Sequence, residues 1–196
     1  MPQSKPSTTQ FALVTGGAKR LGKAIALELA RAGWSIVLHC RSSVVEARET
    51  AAQIESLGVQ CLIVQADLEK PEEVEALFDA AEQAGPVRCV VNNASLFEFD
   101  SGESFQAELF LRHMASNLAA PIQLAKRLYL HVPDNEQAVV VNLLDQKLKN
   151  LNPDFLSYTL TKAGLETATT MLAMELAPKV RVVGVAPGLT LISHLQ

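Results

Sequence analysis

Six apolar runs rich in β-branched residues alternate along the chain with stretches of helical periodicity, and this alternation constrains the fold more than any other feature. The runs predict strands near residues 11–15, 34–39, 60–65, 87–92, 137–143 and 180–185. Helices are expected near 20–32, 43–57, 71–84, 104–131 with a break near Asn117, and 155–177. Such alternation is typical of βαβ units, in which parallel strands are joined by helical crossovers.

The predicted strands are continuously apolar, which indicates that both of their faces are buried. The sequence therefore predicts one α/β domain over residues 11–196, a Rossmann-like, doubly wound parallel sheet flanked by helices. A chain of 196 residues is long enough to bury one such core. Residues 1–10, MPQSKPSTTQ, are polar and contain two prolines, so a flexible tail is expected there.

Composition excludes several classes of function. The net charge of −4, without a dense block of Lys or Arg, argues against nucleic acid as a partner and favours a small molecule. No run reaches the roughly 18 apolar residues that a membrane helix needs. The three cysteines are widely spaced and are expected to be reduced thiols in a cytoplasmic protein. The four histidines show no ligand spacing, so no metal site is predicted.

The segment TGGAKRLG, from Thr15 to Gly22, follows the first strand and opens the first helix. Small residues at that junction let backbone N–H groups and a helix N-terminus face a pyrophosphate. Arg20 stands where such loops often carry a middle glycine. Taken alone, a short glycine pattern also arises in ordinary turns.

Two further motifs follow in the chain. The segment VNNAS, from Val91 to Ser95, ends the fourth strand. Tyr158 precedes Lys162 by one helical turn, so the phenol and the ammonium share a helix face and can address one substrate. By itself this spacing usually marks a solvated helix face, but with the glycine loop and the NNA strand end, in this order, it is far more specific.

These motifs together resemble the short-chain dehydrogenase/reductase family, over nearly the whole chain from Phe11 to Leu189. The marks of the resemblance are Thr15 to Gly22, ADL at Ala66 to Leu68, NNA at Asn92 to Ala94, Asn117, Tyr158 with Lys162, and Pro187-Gly188.

The resemblance implies a role for each catalytic residue. Tyr158 would be the proton donor, and Lys162 would lower the pKa of Tyr158 and hold the nicotinamide ribose. Asn117 would support a water chain that feeds the lysine. Asp67 and Asn93 would line the adenosine side of the cofactor site.

NADPH is the cofactor that the resemblance implies. After the second strand, Arg41 and Ser42 stand where an NAD-preferring enzyme carries an acidic residue, and an arginine pairs with a 2′-phosphate. A surface arginine followed by a serine helix cap is compatible with the same residues. The implied cofactor contacts are Thr15, Gly16, Lys19, Arg20, Leu21, Arg41, Ser42, Asp67, Leu68, Asn93, Ala94, Ser95, Tyr158, Lys162, Pro187 and Gly188.

Asp145 replaces the usual family serine thirteen residues before the tyrosine, and Ser95 replaces the usual NNAG glycine. Both changes, with the Lys19-Arg20 loop, are similar to the pteridine reductase branch, which includes dihydromonapterin-type reductases. That similarity implies a substrate site built from Arg20, Ser95, Phe97, Asp145 and Tyr158.

In that branch Phe97 would stack on a flat heteroaromatic ring, Arg20 would reach over the cofactor phosphates toward the substrate, and Asp145 would relay a proton with Tyr158 to a ring nitrogen. The alternative is that Phe97 packs its own loop and Asp145 caps a turn or helix.

The expected function is NADPH-dependent reduction of a pterin-like C=N bond, as in a dihydropterin or dihydrofolate. A carbonyl, ketone or quinone reductase of the same family, and a nucleotide-binding scaffold without turnover, are the alternatives.

The Ala- and Thr-rich helix near 155–177 is expected to pack against a copy of itself in a homodimer or homotetramer, or else within the chain. Family members usually continue into a lid helix and a seventh strand; both are expected to be missing, and turnover at this length is expected to be poor.

Overall fold

The computed structural model describes residues 9–188. Most of the predicted flexible tail, and the segment after Gly188 on which the expected absence of a lid helix and a seventh strand depends, lie outside the described residues. The strands are β1 (Phe11–Val14), β2 (Ser35–Cys40), β3 (Cys61–Gln65), β4 (Val87–Asn92), β5 (Ala138–Leu143) and β6 (Val180–Val185). The α-helices are α1 (Arg20–Arg31), α2 (Val44–Glu55), α3 (Pro71–Ala84), α4 (Ala107–Met114), α5 (Ala120–His131) and α6 (Leu156–Leu176).

All six strands run parallel in one sheet of order β3-β2-β1-β4-β5-β6, which confirms the predicted doubly wound fold. The chain starts at β1, builds outward to β3, and then returns to place β4 on the other side of β1. In such a sheet a ligand crevice opens at the carboxyl ends of the strands, where the strand order reverses. The end of β1 and the end of β4 are therefore the first place to look for a site.

Helices cover both faces of the sheet. On one face Leu13 and Val37 pack with Phe78 and Leu124, which come from α3 and α5. On the other face the side chains of alternate strand residues pack against α1 and α2, with Ile54 buried among them. The central strands β1, β2 and β4 are buried on both faces, as expected from their continuously apolar sequences. The edge strand β6 departs from that expectation, because Val183 and Val185 are 43% and 47% exposed.

The long helix predicted over 104–131 is divided into α4, a π-helical turn at Ala115–Ala119, and α5. The expected break at Asn117 thus has the form of a π-helical turn, a distortion that often occurs at functional sites. Among residues 9–188, no helix has both the length and the apolar character that crossing a bilayer requires.

Two non-glycine residues adopt left-handed backbone conformations: Arg20 with φ of 54° and Phe155 with φ of 55°. Each stands at the start of a helix, Arg20 as the first residue of α1 and Phe155 directly before α6. A left-handed backbone is unfavourable for side chains of this size and is often retained where a site requires it. Arg20 therefore has the backbone shape that a glycine at this position would adopt without strain.

The cysteines lie in strands and carry free thiols. Cys40 and Cys89 are buried, and Cys61 is half-buried. Burial raises the pKa of Cys61 and of Cys89 to about 12, so both are protonated at neutral pH. On α6 the side chains of Met171 and Met174 are exposed, on the helix where self-association was predicted; that association stays a prediction.

Candidate active site

A cavity of about 560 Å³ opens at the carboxyl ends of the strands. It brings together most of the side chains that the sequence singled out for cofactor, substrate or catalysis: Gly16, Lys19, Arg20, Leu21, Arg41, Asp67, Leu68, Asn93, Ala94, Ser95, Phe97, Asp145, Tyr158, Lys162, Pro187 and Gly188. Thr15, Ser42 and Asn117 do not line it. Gly16 and Gly188, 172 positions apart in the chain, thus meet at one edge of the sheet, because parallel strands end there together.

Thr15 organises the strand ends from below the cavity. Its side chain is buried, and its hydroxyl donates to the carbonyl of Val91 at 3.2 Å. The same hydroxyl accepts the backbone N–H groups of Asn93 and Ala94, both at a distance of 3.0 Å. The amide of Asn93 in turn donates to the carbonyls of Thr15 and Gly16. The glycine loop and the NNA strand end are therefore one hydrogen-bonded unit, and Thr15 acts on the cofactor site through it.

His39, at the end of β2, was not predicted as a site residue. Its Nδ1 accepts the backbone N–H of Gly16 over 3.0 Å, and its Nε2 lies 3.0 Å from the carbonyl of Ala66. Both contacts require the neutral ring with its proton on Nε2. Burial lowers the pKa of His39, which favours that neutral form. The imidazole thereby fixes the glycine loop to the end of β3.

The N-terminus of α1 faces the cavity. No side chain caps its first turn in the described chain, and that turn carries no acidic residue. Lys19 and Arg20 stand beside it at the cavity wall. A Cβ on Gly22 would lie 2.2 Å from the carbonyl oxygen of Gly16, so only glycine lets the helix approach the loop this closely. Free N–H groups and two cations form a donor set that fits a pyrophosphate.

Arg41 lines the far end of the cavity, with about half of its side chain exposed. Its guanidinium lies 3.1 Å from a carboxylate oxygen of Glu69. The N-cap residue of α2 is Ser43 rather than Ser42, and the Ser43 side chain makes no capping hydrogen bond. Of the two residues predicted to bind the 2′-phosphate, Arg41 lines the cavity and Ser42 does not.

Tyr158, Asp145 and Lys162 meet at the other end of the cavity. The hydroxyl of Tyr158 donates to Oδ2 of Asp145 over 2.6 Å. Lys162 is buried, donates to the carbonyl of Leu143 over 2.7 Å, and has its Nζ 5.6 Å from the centre of the Tyr158 ring. The phenol, the carboxylate and the ammonium that the sequence predicted to act together thus lie at one end of the cavity.

The pKa of Tyr158 departs from the expected direction. Burial, together with the hydrogen bond and the negative charge of Asp145, raises the pKa of Tyr158, whereas Lys162 was expected to lower it. Burial also lowers the pKa of Lys162 to about 8, against the opposing influence of Asp145. The expectation was wrong for the protein without ligands, because the carboxylate contacts the phenol directly and the ammonium does not.

Asn117 does not contact Lys162. Its side chain accepts the backbone N–H of Leu96 over 2.7 Å, and donates to the carbonyl of Leu96 and to the hydroxyl of Thr161. The π-helical turn therefore places this amide against the loop after β4, next to Phe97. These contacts are those of a positioning residue, and the water chain to Lys162 stays a prediction.

The loop after β4 carries Phe97 into an aromatic cluster. The Phe97 ring stacks on Phe155, with centroids 4.2 Å apart and an interplanar angle of 9°, and meets Tyr158 edge to face at 4.7 Å. Phe97 is nevertheless 44% exposed and lines the cavity. Loop packing and a platform for a flat ring were offered as alternatives; the contacts of Phe97 are compatible with both.

Asp100, on the same loop, was also missed. Its carboxylate is buried and accepts the backbone N–H of Ser157 at 3.0 and 3.2 Å as well as the Ser157 hydroxyl. It thereby caps α6, which carries Tyr158 and Lys162. The two residues lie 57 positions apart, so no local capping pattern could have revealed the contact.

Comparison with known proteins agrees with this geometry. The family model described as short chain dehydrogenase matches residues 10–196. The 3beta-hydroxysteroid dehydrogenase 1 of Eggerthella lenta is 36% identical over 179 residues, covering 90% of this chain and 69% of that protein.

Two solved structures are similar as well. FolM alternative dihydrofolate reductase 1 from Brucella canis, complexed with NADP, has a TM-score of 0.89 at 43% identity, covering 95% of this chain and 74% of its own. The promiscuous reductase LugOII, which catalyses keto-reduction at C1 during lugdunomycin biosynthesis, has a TM-score of 0.86 at 34% identity, with 92% and 74% covered.

Proposed function

The chain belongs to the short-chain dehydrogenase family, and from this premise we propose that it is an NADPH-dependent reductase of a flat, pterin-like heteroaromatic with a ring C=N bond. The observation that carries the proposal is the hydrogen bond between Tyr158 and Asp145 at 2.6 Å, beside the half-exposed ring of Phe97. A carboxylate joined to the donor phenol suits protonation of a ring nitrogen. The resemblance to the pteridine reductase branch supports the same substrate class.

The residues that line the cavity suit an NADPH molecule that would extend from Arg41 to Lys162. The N-terminus of α1, with Lys19 and Arg20, would hold the pyrophosphate, and Arg41 would hold the 2′-phosphate. Asp67, Leu68 and Lys162 line the cavity. Asp67 and Leu68 would face the adenosine, and Lys162 would face the nicotinamide ribose. Bound NADPH supplies a hydride to the substrate carbon.

The chain's own residues supply the proton. The raised pKa of Tyr158 keeps its phenol protonated, so it can donate to the ring nitrogen when the carbon of the C=N bond gains the hydride. The nearby Lys162 ammonium stabilises the phenolate that forms. Asp145 holds the phenol in place and returns a proton to it from the solvent side. One hydride and one proton are added to the double bond.

A ketone reductase is the second candidate, and the similarity to LugOII favours it. The same phenol and ammonium suit a carbonyl, because hydride addition creates an alkoxide that Tyr158 would protonate directly. Tyr158 must regain its proton in either reaction, so the two candidates differ in the substrate and not in the proton return through Asp145. The identity of 43% with the FolM reductase, against 34% with LugOII, supports the pterin-like substrate first.

Oxidation of NADPH, followed against a panel of dihydropterins, dihydrofolate, quinones and polycyclic ketones, tests the proposal. We expect the highest kcat/KM with a dihydropterin or dihydrofolate. A higher value with a ketone would establish the second candidate instead. NADPH binding without turnover on any substrate would indicate a nucleotide-binding scaffold.

The variant Tyr158→Phe separates catalysis from binding in the same assay. It removes the proton donor but keeps the ring, so turnover should fall by about 10²-fold or more while NADPH affinity stays nearly unchanged. Retained turnover would exclude Tyr158 as the proton donor.

A further inference from the structure

Glu69 joins two arginines, Arg41 and Arg112, beside the end of the cavity that Arg41 lines. It follows Asp67 and Leu68 in the chain, and its side chain is 18% exposed. Arg41 reaches it from the end of β2 over 3.1 Å. Arg112, on α4, contacts both of its carboxylate oxygens, from Nε at 2.9 Å and from Nη2 at 3.2 Å. Neither Glu69 nor Arg112 was predicted to be a site residue.

This arrangement poses an electrostatic question for the phosphate. Arg41 is the residue proposed to bind the 2′-phosphate, yet a half-buried carboxylate already pairs with it. An unneutralised carboxylate at that position would repel the phosphate and would hold Arg41 away from it. Carboxylates near the ribose favour the free 2′-hydroxyl of NADH for this reason. A site with Glu69 alone would therefore select against NADPH.

Arg112 removes that conflict. Its planar fork binds the Glu69 carboxylate with two charge-assisted hydrogen bonds, the strongest geometry available to such a pair. Its third contact, to Glu98, is longer at 3.4 Å, so Glu69 is its principal partner. With its charge balanced by Arg112, Glu69 can release Arg41 when a phosphate arrives.

We propose that Arg112 is a specificity-determining residue for the cofactor: by neutralising Glu69 it leaves Arg41 free to bind the 2′-phosphate. It acts through Glu69 and Arg41 and is therefore a positioning residue. The inference rests on the proposed NADPH site at Arg41. It adds Arg112 of α4, which lies 71 positions after Arg41 in the chain.

Cofactor titrations on the full chain test this inference without requiring turnover. The dissociation constants of NADPH and NADH are measured by their fluorescence for the wild type, Arg112→Gln, Glu69→Gln and the double variant. We expect Arg112→Gln to weaken NADPH by about tenfold and to leave NADH unchanged or tighter, because only NADPH carries the phosphate. The double variant should regain most of the NADPH affinity, since the carboxylate that needed neutralising is gone.

Two further variants make the result decisive. Arg112→Lys keeps the charge and should retain most of the preference for NADPH, even if Arg112→Gln proves unstable. Arg127→Gln is the matched control, because Arg127 on α5 also binds the carboxylates of Glu75 and Asp79 on α3, and neither carboxylate pairs with Arg41. The cofactor preference of this variant should equal that of the wild type.

Equal weakening of NADPH and NADH by Arg112→Gln, or a double variant no better than Arg112→Gln, would overturn the inference. A wild-type protein that binds both cofactors equally would instead refute the NADPH site of the proposed function. The two failures are thus distinguishable.

Discussion

Asp145 is held at both of its carboxylate oxygens. Oδ2 accepts the Tyr158 hydroxyl over 2.6 Å, and Oδ1 accepts the backbone N–H of Lys147 over 2.8 Å, where it caps a short 3₁₀ helix at Gln146–Lys149. The cap and the tyrosine contact were considered as alternatives, and the structure contains both. The cap orients the carboxylate so that its second oxygen is fixed against the phenol.

The activity should depend on pH through Lys162. Burial lowers its pKa from 10.5 to about 8, so the ammonium loses its proton as the pH rises through about 8. The charge that stabilises the Tyr158 phenolate is then lost, and we expect kcat to fall on the alkaline side of that value. Steady-state kcat measured across the pH range at saturating cofactor gives the midpoint.

Asp145 sets the position of that midpoint. Its negative charge raises the pKa of Lys162, so Asp145→Asn should move the alkaline fall of kcat to lower pH. Asp145→Ser, which installs the usual family residue, should move it in the same direction because it removes the same charge. An unmoved midpoint in both variants would show that the charge of Asp145 does not act on Lys162.

Arg41→Asp should weaken NADPH binding and narrow the advantage of NADPH over NADH. One charge-assisted contact to phosphate is worth about 1.5–3 kcal/mol, which corresponds to a loss of roughly ten- to a hundredfold in affinity. Arg48→Asp makes the same charge change at an exposed position on α2 that does not line the cavity, and should have little effect. An unchanged preference in Arg41→Asp would place the phosphate elsewhere.

Phe97→Ala should raise KM for a dihydropterin by about fivefold or more, since a stacking contact is worth about 1 kcal/mol. KM for a small aliphatic ketone should change little. Phe105→Ala is the matched control: its side chain is 47% exposed, against 44% for Phe97, but it does not line the cavity. Equal losses on both substrates would mean that Phe97 only packs its loop against Phe155.

Asp100→Asn should destabilise the fold and loosen the site together. The buried carboxylate accepts the N–H and hydroxyl groups of Ser157, and its loss should lower the free energy of unfolding in urea by about 1–3 kcal/mol. Ser101→Ala removes a neighbouring, partly buried hydroxyl that contacts Ser104 in its own turn, and should cost far less. A full retention of stability by Asp100→Asn would show that α6 does not depend on this cap.

The fold could be predicted from the sequence because its signals are local. The apolar runs gave the strands to within about a residue at each end, β4 and β6 without error, and the alternation with helices implied a parallel sheet buried on both faces. One helical turn places Tyr158 and Lys162 on one face. Their roles were implied by the resemblance to the short-chain dehydrogenase/reductase family, because the spacing alone also occurs on solvated helix faces. The glycine loop and the NNA strand end were predictable because parallel strands end at the same edge.

Only the tertiary structure determined how those residues are held and charged. His39 under the glycine loop, Asp100 at the start of α6, and Arg112 on Glu69 each act across many intervening residues, and such contacts leave no pattern within a sequence window. The direction of the shift in the Tyr158 pKa likewise depended on which charged group touches the phenol. Asp145 lies within hydrogen-bond distance of the hydroxyl, whereas the Nζ of Lys162 is 5.6 Å from the centre of the ring. The sequence by itself determined which elements form and which edge of the sheet carries the site, because backbone periodicity is local. The long-range packing decided the partners, because hydrogen bonds and charges act through space.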